Sequence, residues 1–354
     1  MGDVLMTTPA MRALKDSRPD RRITLLTSRS GAKIAPLIPE VDAMMVYDSP
    51  WMKATRPQVT SNLDFKIIDR LHWGCFDAAI IFTVFSQNPL AAAYMAYLAE
   101  IPLRLAHCRE NPYLLLTDWV PEDDHFGQRD MRHEVQRQLD LVASIGCKTE
   151  DERLSLQVPQ SLEHRLLQRL LDLGIRMHKP WVIIHPGASA PSRRYPSKNY
   201  AQVAQKLGSD FDFQVVFTGI KSETELVDEI RATMKADSFS LAGSLDIKEF
   251  SALISLAPLL ISNNTGPVHI AAALGTPVVD IYALTNPQHT PWQVPNRVLY
   301  HDVPCKFCYK SVCPMSHHDC LRMVPPDAVI KSALDLLGEQ AHPKAESAVK
   351  RKIP

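Results

Sequence analysis

What most limits the fold of this chain is its alternation of short apolar runs with amphipathic segments, an alternation that starts over near residue 180. In the first half, residues 23–27 (ITLLT), 43–47 (AMMVY) and 78–84 (AAIIFTV) read as strands, while 3–15, 90–100 and 132–145 carry apolar residues near helical spacing. Residues 112–128, rich in Pro, Asp and Glu, read as a loop. In the second half the strand-like runs are 181–184, 213–218, 259–262 and 278–282, the last expected to close the sheet. Helical periodicity covers 162–173, 200–207, 223–234, 250–256 and 268–274. Strands alternating with helices argue for parallel sheets covered on both faces. Val158-Pro159 and His178-Lys179-Pro180 break the pattern, so a boundary is expected near residues 150–178. The domains are then 1–160 and 175–338, with 340–354 expected to form a disordered basic tail.

Length and composition agree with that division. The 354 residues allow two domains at ~150 residues each. Lys plus Arg number 39 and Asp plus Glu also 39, so the chain lacks the basic surplus that phosphate neutralisation on nucleic acid requires. The longest weakly polar stretch, residues 90–99, is far shorter than the ~20 apolar residues of a membrane-spanning helix. The first residues show no basic region leading into an apolar run, so no signal peptide is expected. Seven cysteines, an odd number with three scattered (Cys75, Cys108, Cys147), favour reduced thiols in a cytoplasmic protein.

In open parallel sheets ligands bind beyond the carboxyl ends of the strands, so the loops leaving strands matter most. The first is Asn263-Asn264-Thr265-Gly266-Pro267, before the helical segment that holds His269. A Gly beside a hydroxyl residue at a helix start lets backbone N–H groups approach a phosphate. The alternative is that Asn264 and Thr265 only cap the helix and Pro267 opens it. The second loop, 185–196 (HPGASAPSRRYP), places small residues before Arg193 and Arg194, a natural grip on a diphosphate or else a solvated basic turn. A third candidate is Asp3, either a helix-start acid or a general base acting on an acceptor hydroxyl. The fourth is Cys305-x2-Cys308-x4-Cys313-x6-Cys320 with His317 and His318 nearby. Its spacing departs from the paired zinc-ribbon pattern, and packed reduced thiols are the expectation ahead of a structural metal.

Four segments together resemble the ADP-heptose:lipopolysaccharide heptosyltransferases of glycosyltransferase family 9: residues 2–15 (GDVLMTTPAMRALK), 185–196, 262–279 (SNNTGPVHIAAALGTPVV) and 304–322 (PCKFCYKSVCPMSHHDCLR). The Cys-rich segment is more similar to the heptosyltransferase II branch. The resemblance implies a GT-B fold, two Rossmann-like domains with parallel sheets facing a central cleft, and an inverting transferase without cofactor or catalytic metal. It implies an ADP-heptose donor, a lipid A–Kdo inner-core acceptor and work at the cytoplasmic face of the inner membrane, in peripheral contact with it. By position Asp3 would be the general base, and Ser189 and Arg193 would hold the diphosphate. Glu223 would meet the donor ribose and Leu245 the adenine, while Thr265, Gly266 and His269 would meet diphosphate and sugar.

Two departures stand out. Most members carry Asp where this chain has Asn264, which removes a charge and could alter sugar preference. Members also begin with a strand before the GDV motif, whereas this sequence starts at Met1-Gly2-Asp3. The first N-terminal strand is therefore expected to be missing, through a start downstream of the true one or a fragment, with two ladders unpaired in mid-sheet. The alternatives are a related GT-B transferase using another nucleotide-sugar, or a degenerate paralogue that binds nucleotide-sugar without turnover. A nicotinamide dehydrogenase would share the α/β pattern, but no G-x-G-x-x-G follows an early strand.

Overall fold

The computed structural model describes residues 1–52, 55, 60–122 and 132–341. The chain forms two compact units, Met1–Ser155 and Leu156 onward.

The first unit runs α1 (Gly2–Met6), α2 (Thr8–Ser17), β1 (Thr24–Thr27), α3 (Arg29–Ala32), β2 (Ala43–Val46), α4 (Asn62–Trp73), β3 (Ala78–Ile81), α5 (Leu90–Leu98), β4 (Leu103–Cys108), β5 (Asp118–Pro121) and α6 (Glu134–Ala143). The single helix expected over 3–15 is two helices that meet at Thr7. Pro9 has no N–H for the Leu5 carbonyl, and the Thr8 hydroxyl donates to that oxygen instead at 2.7 Å. All strand pairs are parallel, but they fall into two sheets, β1–β2 and β3–β4–β5. Among the described residues β1 and β3 pair on one side only, and both strands are largely half-buried.

Residues 112–128, expected as a loop, contain β5, while 123–128 lie outside the described residues. An edge strand with neighbours on one side tolerates the Pro and Asp of Asp118-Trp119-Val120-Pro121 that hid it from the apolar pattern.

A buried ionic network ties α6 to the carboxyl ends of β3, β4 and β5. Arg137, 1 % exposed, donates from Nε to Glu122 at 2.6 Å and from Nη1 to Glu134 at 2.8 Å. Gln138 donates to Glu134 at 2.6 Å and to the Thr83 carbonyl at 2.8 Å, and the His107 ring meets the Arg137 carbonyl at 2.8 Å. Burial pushes the His107 ring below the usual imidazole range.

The second unit runs α7 (Gln160–Asp172), β6 (Trp181–His185), α8 (Ser197–Phe211), β7 (Gln214–Phe217), α9 (Thr224–Ala232), β8 (Ser238–Ser240), α10 (Ile247–Leu256), β9 (Leu260–Asn263), α11 (Gly266–Leu274), β10 (Val278–Ile281), β11 (Asn296–Leu299), α12 (Asp319–Arg322) and α13 (Pro326–Ala341). Six parallel strands lie in the order β8-β7-β6-β9-β10-β11. The segment 278–282 therefore does not close the sheet, because β11 pairs outside it. With a polar Asn296-Arg297 start and half-buried residues throughout, β11 lacks the apolar run that marks the inner strands. β6, β9 and β10 are fully buried, as strands covered on both faces must be. One face packs Val182, Ile184, Val215, Phe217, Ile261 and Val279 with α8 residues Tyr200, Val203 and Leu207, all fully buried. Of the expected tail, 340 and 341 end α13, and 342–354 lie outside the described residues.

Replacing Arg137 with Ala removes the cation that bridges the buried Glu122 and Glu134 carboxylates, so the first unit should lose roughly 3–5 kcal/mol. Urea unfolding of wild type and R137A measures this. A variant with apolar residues at all three positions should lose much less.

Candidate functional site

The strand order of the second unit reverses direction between β6 and β9, the place in a doubly wound sheet where a ligand crevice opens at the carboxyl ends. The loops leaving both strands are two of those singled out in the sequence, 185–196 after β6 and 263–266 after β9. The buried Asn263 staples one to the other. Its Nδ2 donates to the Pro186 carbonyl at 2.7 Å, and its Oδ1 accepts from the Tyr195 backbone N–H at 3.0 Å. Tyr195 is anchored in turn by its hydroxyl, which donates to the Val324 carbonyl at 2.8 Å.

At α11 the side chains do not cap the helix. Thr265 occupies the N-cap position without a side-chain bond to the helix N–H groups; its hydroxyl turns back to the Asn263 carbonyl at 3.3 Å. Asn264 is engaged elsewhere, donating through Nδ2 to Asp280 Oδ2 and to the His289 carbonyl, both at 2.9 Å. Pro267 stands in the first turn, where its missing N–H costs nothing. Among the described residues the start of α11 thus has no side-chain cap, the arrangement that favours an anion. The buried His269 lies in the same first turn, its ring 6.4 Å from that of His289 in an edge-on arrangement.

The two arginines of the β6 loop divide their roles. Arg194 donates from Nε to the Ala188 carbonyl at 2.8 Å and braces its own loop. Arg193, half-buried at the end of a short 3-10 turn, makes no side-chain hydrogen bond among the described residues and lies close enough to Asp280 to act on it electrostatically. Ser189 is exposed.

Glu223 and Leu245 follow β7 and β8 on the same carboxyl edge. Glu223 Oε2 accepts from the Ile220 N–H at 2.9 Å and lies 3.8 Å from Nε2 of His185. Burial pushes His185 down to about 4, so at neutral pH the ring is uncharged and this contact is not an ion pair. The ring's Nδ1 shares a hydrogen bond of 3.0 Å with the Thr218 hydroxyl. A Cβ on Gly187 would overlap the Glu223 carboxylate, so only glycine admits that carboxylate here. Leu245, half-buried, directly precedes the Asp246–Glu249 capping box of α10.

The four C-terminal cysteines gather around one small cavity with His317, His318 and Leu284. All four thiols are free, Cys305 Sγ lies 3.6 Å from His317 Nε2, and among the described residues no three such donors are arranged to hold a metal. The segment instead braces the site by backbone bonds. The Ser192 N–H donates to the Ser311 carbonyl at 3.1 Å, and the Tyr309 N–H to that of Thr285 at 2.7 Å. Asp3 belongs to the first unit, exposed in the first turn of α1, with its carbonyl accepting from the Thr7 hydroxyl at 2.7 Å.

Residues 65–318 match the sequence model of glycosyltransferase family 9 (heptosyltransferase). The chain belongs to that family. A lipooligosaccharide heptosyltransferase 2 of Campylobacter jejuni is 30% identical over 212 residues, 58% of this chain and 64% of that protein, so the match spans less than two thirds of the relative. A family 9 glycosyltransferase from Veillonella parvula superposes with a TM-score of 0.79 at 21% identity, over 96% of this chain and 95% of that one. ADP-heptose lps heptosyltransferase II of E. coli superposes at 0.74 with 22% identity, over 95% and 96%. The fold is accordingly the GT-B fold of the family.

Family membership leaves the tuning of the site to this chain's own residues. Thr218 and Asp280 lie outside the loops singled out from sequence, and Asn263 and His185 stand there only as the first residues of theirs. Each is a polar residue in or just after a mostly apolar strand, and that contrast was the available signal.

Gly187→Ala should displace the Glu223 carboxylate. Stability, followed by urea unfolding, should drop by the worth of about the one hydrogen bond that the carboxylate accepts from the Ile220 N–H, roughly 0.5–1.5 kcal/mol. In a Glu223→Ala background the same change should add nothing. His185 supplies a second test. Its folded pKa is below the unfolded one, so stability is intact above pH 6.5 and lost as pH falls through about 4. The melting temperature of His185→Gln should decline less over that window.

Proposed function

We propose that this chain is an inverting glycosyltransferase that moves heptose from ADP-heptose to the inner core of lipopolysaccharide. The observation that carries the reading is the Asn263 staple, which joins an arginine-bearing loop to a helix start lacking a side-chain cap, at the switch point of the sheet. Such a place suits a diphosphate, and the names of the relatives, lipooligosaccharide heptosyltransferase 2 among them, supply the sugar.

In this reading residues 175–338 hold the donor and 1–160 serve the acceptor. Ser189, Arg193 and the N–H groups at Thr265 and Gly266 receive the diphosphate. Arg193 stabilises the charge that grows on the leaving group, where preorganised donors contribute most to the rate. Glu223 receives a ribose hydroxyl, Leu245 packs against the adenine, and His269 donates toward the phosphate or sugar. Asp3 takes the proton from the acceptor hydroxyl as that oxygen bonds to the anomeric carbon and the bond to ADP breaks, inverting the configuration. The acceptor is lipid-linked, which favours work at the inner membrane's cytoplasmic face. No described helix is long and apolar enough to cross a membrane, and exposed Tyr94, Tyr97, Tyr113 and Leu114 on α5 and the turn packed against it offer an interfacial surface.

Calorimetry with ADP, ADP-heptose, and UDP- and GDP-sugars tests the donor, with selective ADP-heptose binding expected. Preference for another nucleotide would replace heptose in the reading. Asp3→Asn should then lower kcat by about 10²–10⁴, the range of general-base catalysis, with donor affinity unchanged. Full activity in that variant would remove Asp3 from the mechanism.

A further inference from the structure

Asp280 is an acid in the middle of β10, one of the inner strands of the sheet, and it is fully buried. In the parallel ladders it sits level with Ser262 of β9, which is level with His185 of β6, so the three form one row across the switch point. Its Oδ2 accepts from Asn264, whose other amide hydrogen goes to the His289 carbonyl. One side chain on β10 thereby fixes the residue just before the α11 N-cap and, through it, the loop carrying His289. The other oxygen, Oδ1, is buried without a hydrogen-bond partner among the described residues. Among the described residues Arg193 is a cation that acts on Asp280, and the Tyr200 ring of α8 and that of Tyr282, just past the end of β10, also lie close enough to interact, neither with a positive charge. The His289 loop meets the same Asn264 amide through its backbone carbonyl.

We infer that Asp280 is a positioning residue for the donor, holding Asn264 and the start of α11 in place. The inference rests on the donor-site reading above. A carboxylate buried this near the diphosphate loop would oppose an incoming anion and would compete for Arg193. The neutral carboxyl still accepts from Asn264, so loop order and anion binding are compatible only in that form. Burial favours the same form and raises the group to about 8. Donor affinity should therefore hold up to that pH and decline above it.

The test is calorimetric ADP binding between pH 7 and 9.5 by wild type, Asp280→Asn and Asp280→Val, with melting temperatures as a check on folding. Asn keeps the acceptor and cannot ionise, so D280N should match wild type at pH 7 and escape the severalfold weakening that wild type shows toward pH 9.5. Val suits a buried strand but cannot hold Asn264, so D280V should stay folded and bind ADP about tenfold more weakly at every pH. Wild-type affinity in D280V, or the same alkaline loss in D280N as in wild type, would overturn the positioning role. Failure of folded wild type to bind ADP at all would instead remove the donor-site reading on which it stands.

Discussion

The second unit depends on how polar groups are satisfied at the carboxyl ends of β6, β9 and β10, where solvent does not reach. A buried amide or carboxyl without a partner costs on the order of 1–3 kcal/mol, so each must be matched within the protein. Asn263 meets this demand by bridging the Pro186 carbonyl and the Tyr195 N–H. Asn264 meets it through Asp280 and the His289 carbonyl. With both asparagines so engaged, neither caps α11. The bonds that satisfy the buried amides are therefore also the bonds that set the two loops beside each other.

The Cys-rich segment adds to the same arrangement. Its backbone holds Ser192 and Thr285, which belong to loops on either side of the switch point, and its four cysteines line the small cavity beside Leu284. His185 and Glu223 follow a similar logic. A desolvated neutral imidazole and a glycine without Cβ leave the Glu223 carboxylate its position beside β6. In the first unit the matching problem is solved with charge, Arg137 between two glutamates, and the cost of breaking that set is correspondingly higher.

Much was legible in the sequence because apolar periodicity is a local property. The strands of the second unit at 181, 213, 259 and 278 and the helices between them were placed to within a few residues. β4, β5, β8 and β11 were not: β5, β8 and β11 are short edge strands with little of the apolar run that reveals inner ones, and in β4 Arg104 and His107 interrupt that run. The two candidate anion loops were found through their Gly, Thr and Arg content, and the tertiary structure brings them together.

The alternation of strand and helix, the loops that carry the phosphate-suited residues and the resemblance to the family to which the chain belongs are all properties of the sequence. What those residues do follows from contacts that the fold makes. Thr265 and Asn264 are good capping residues by type, and neither caps: the Thr265 hydroxyl turns to the Asn263 carbonyl, and Asp280 and His289, distant in sequence, claim the Asn264 side chain. Of two adjacent arginines, Arg194 is spent on its own loop and Arg193 is not. Hydrogen bonds between residues far apart along the chain have no local signature, and so pattern reads the elements while packing assigns the partners.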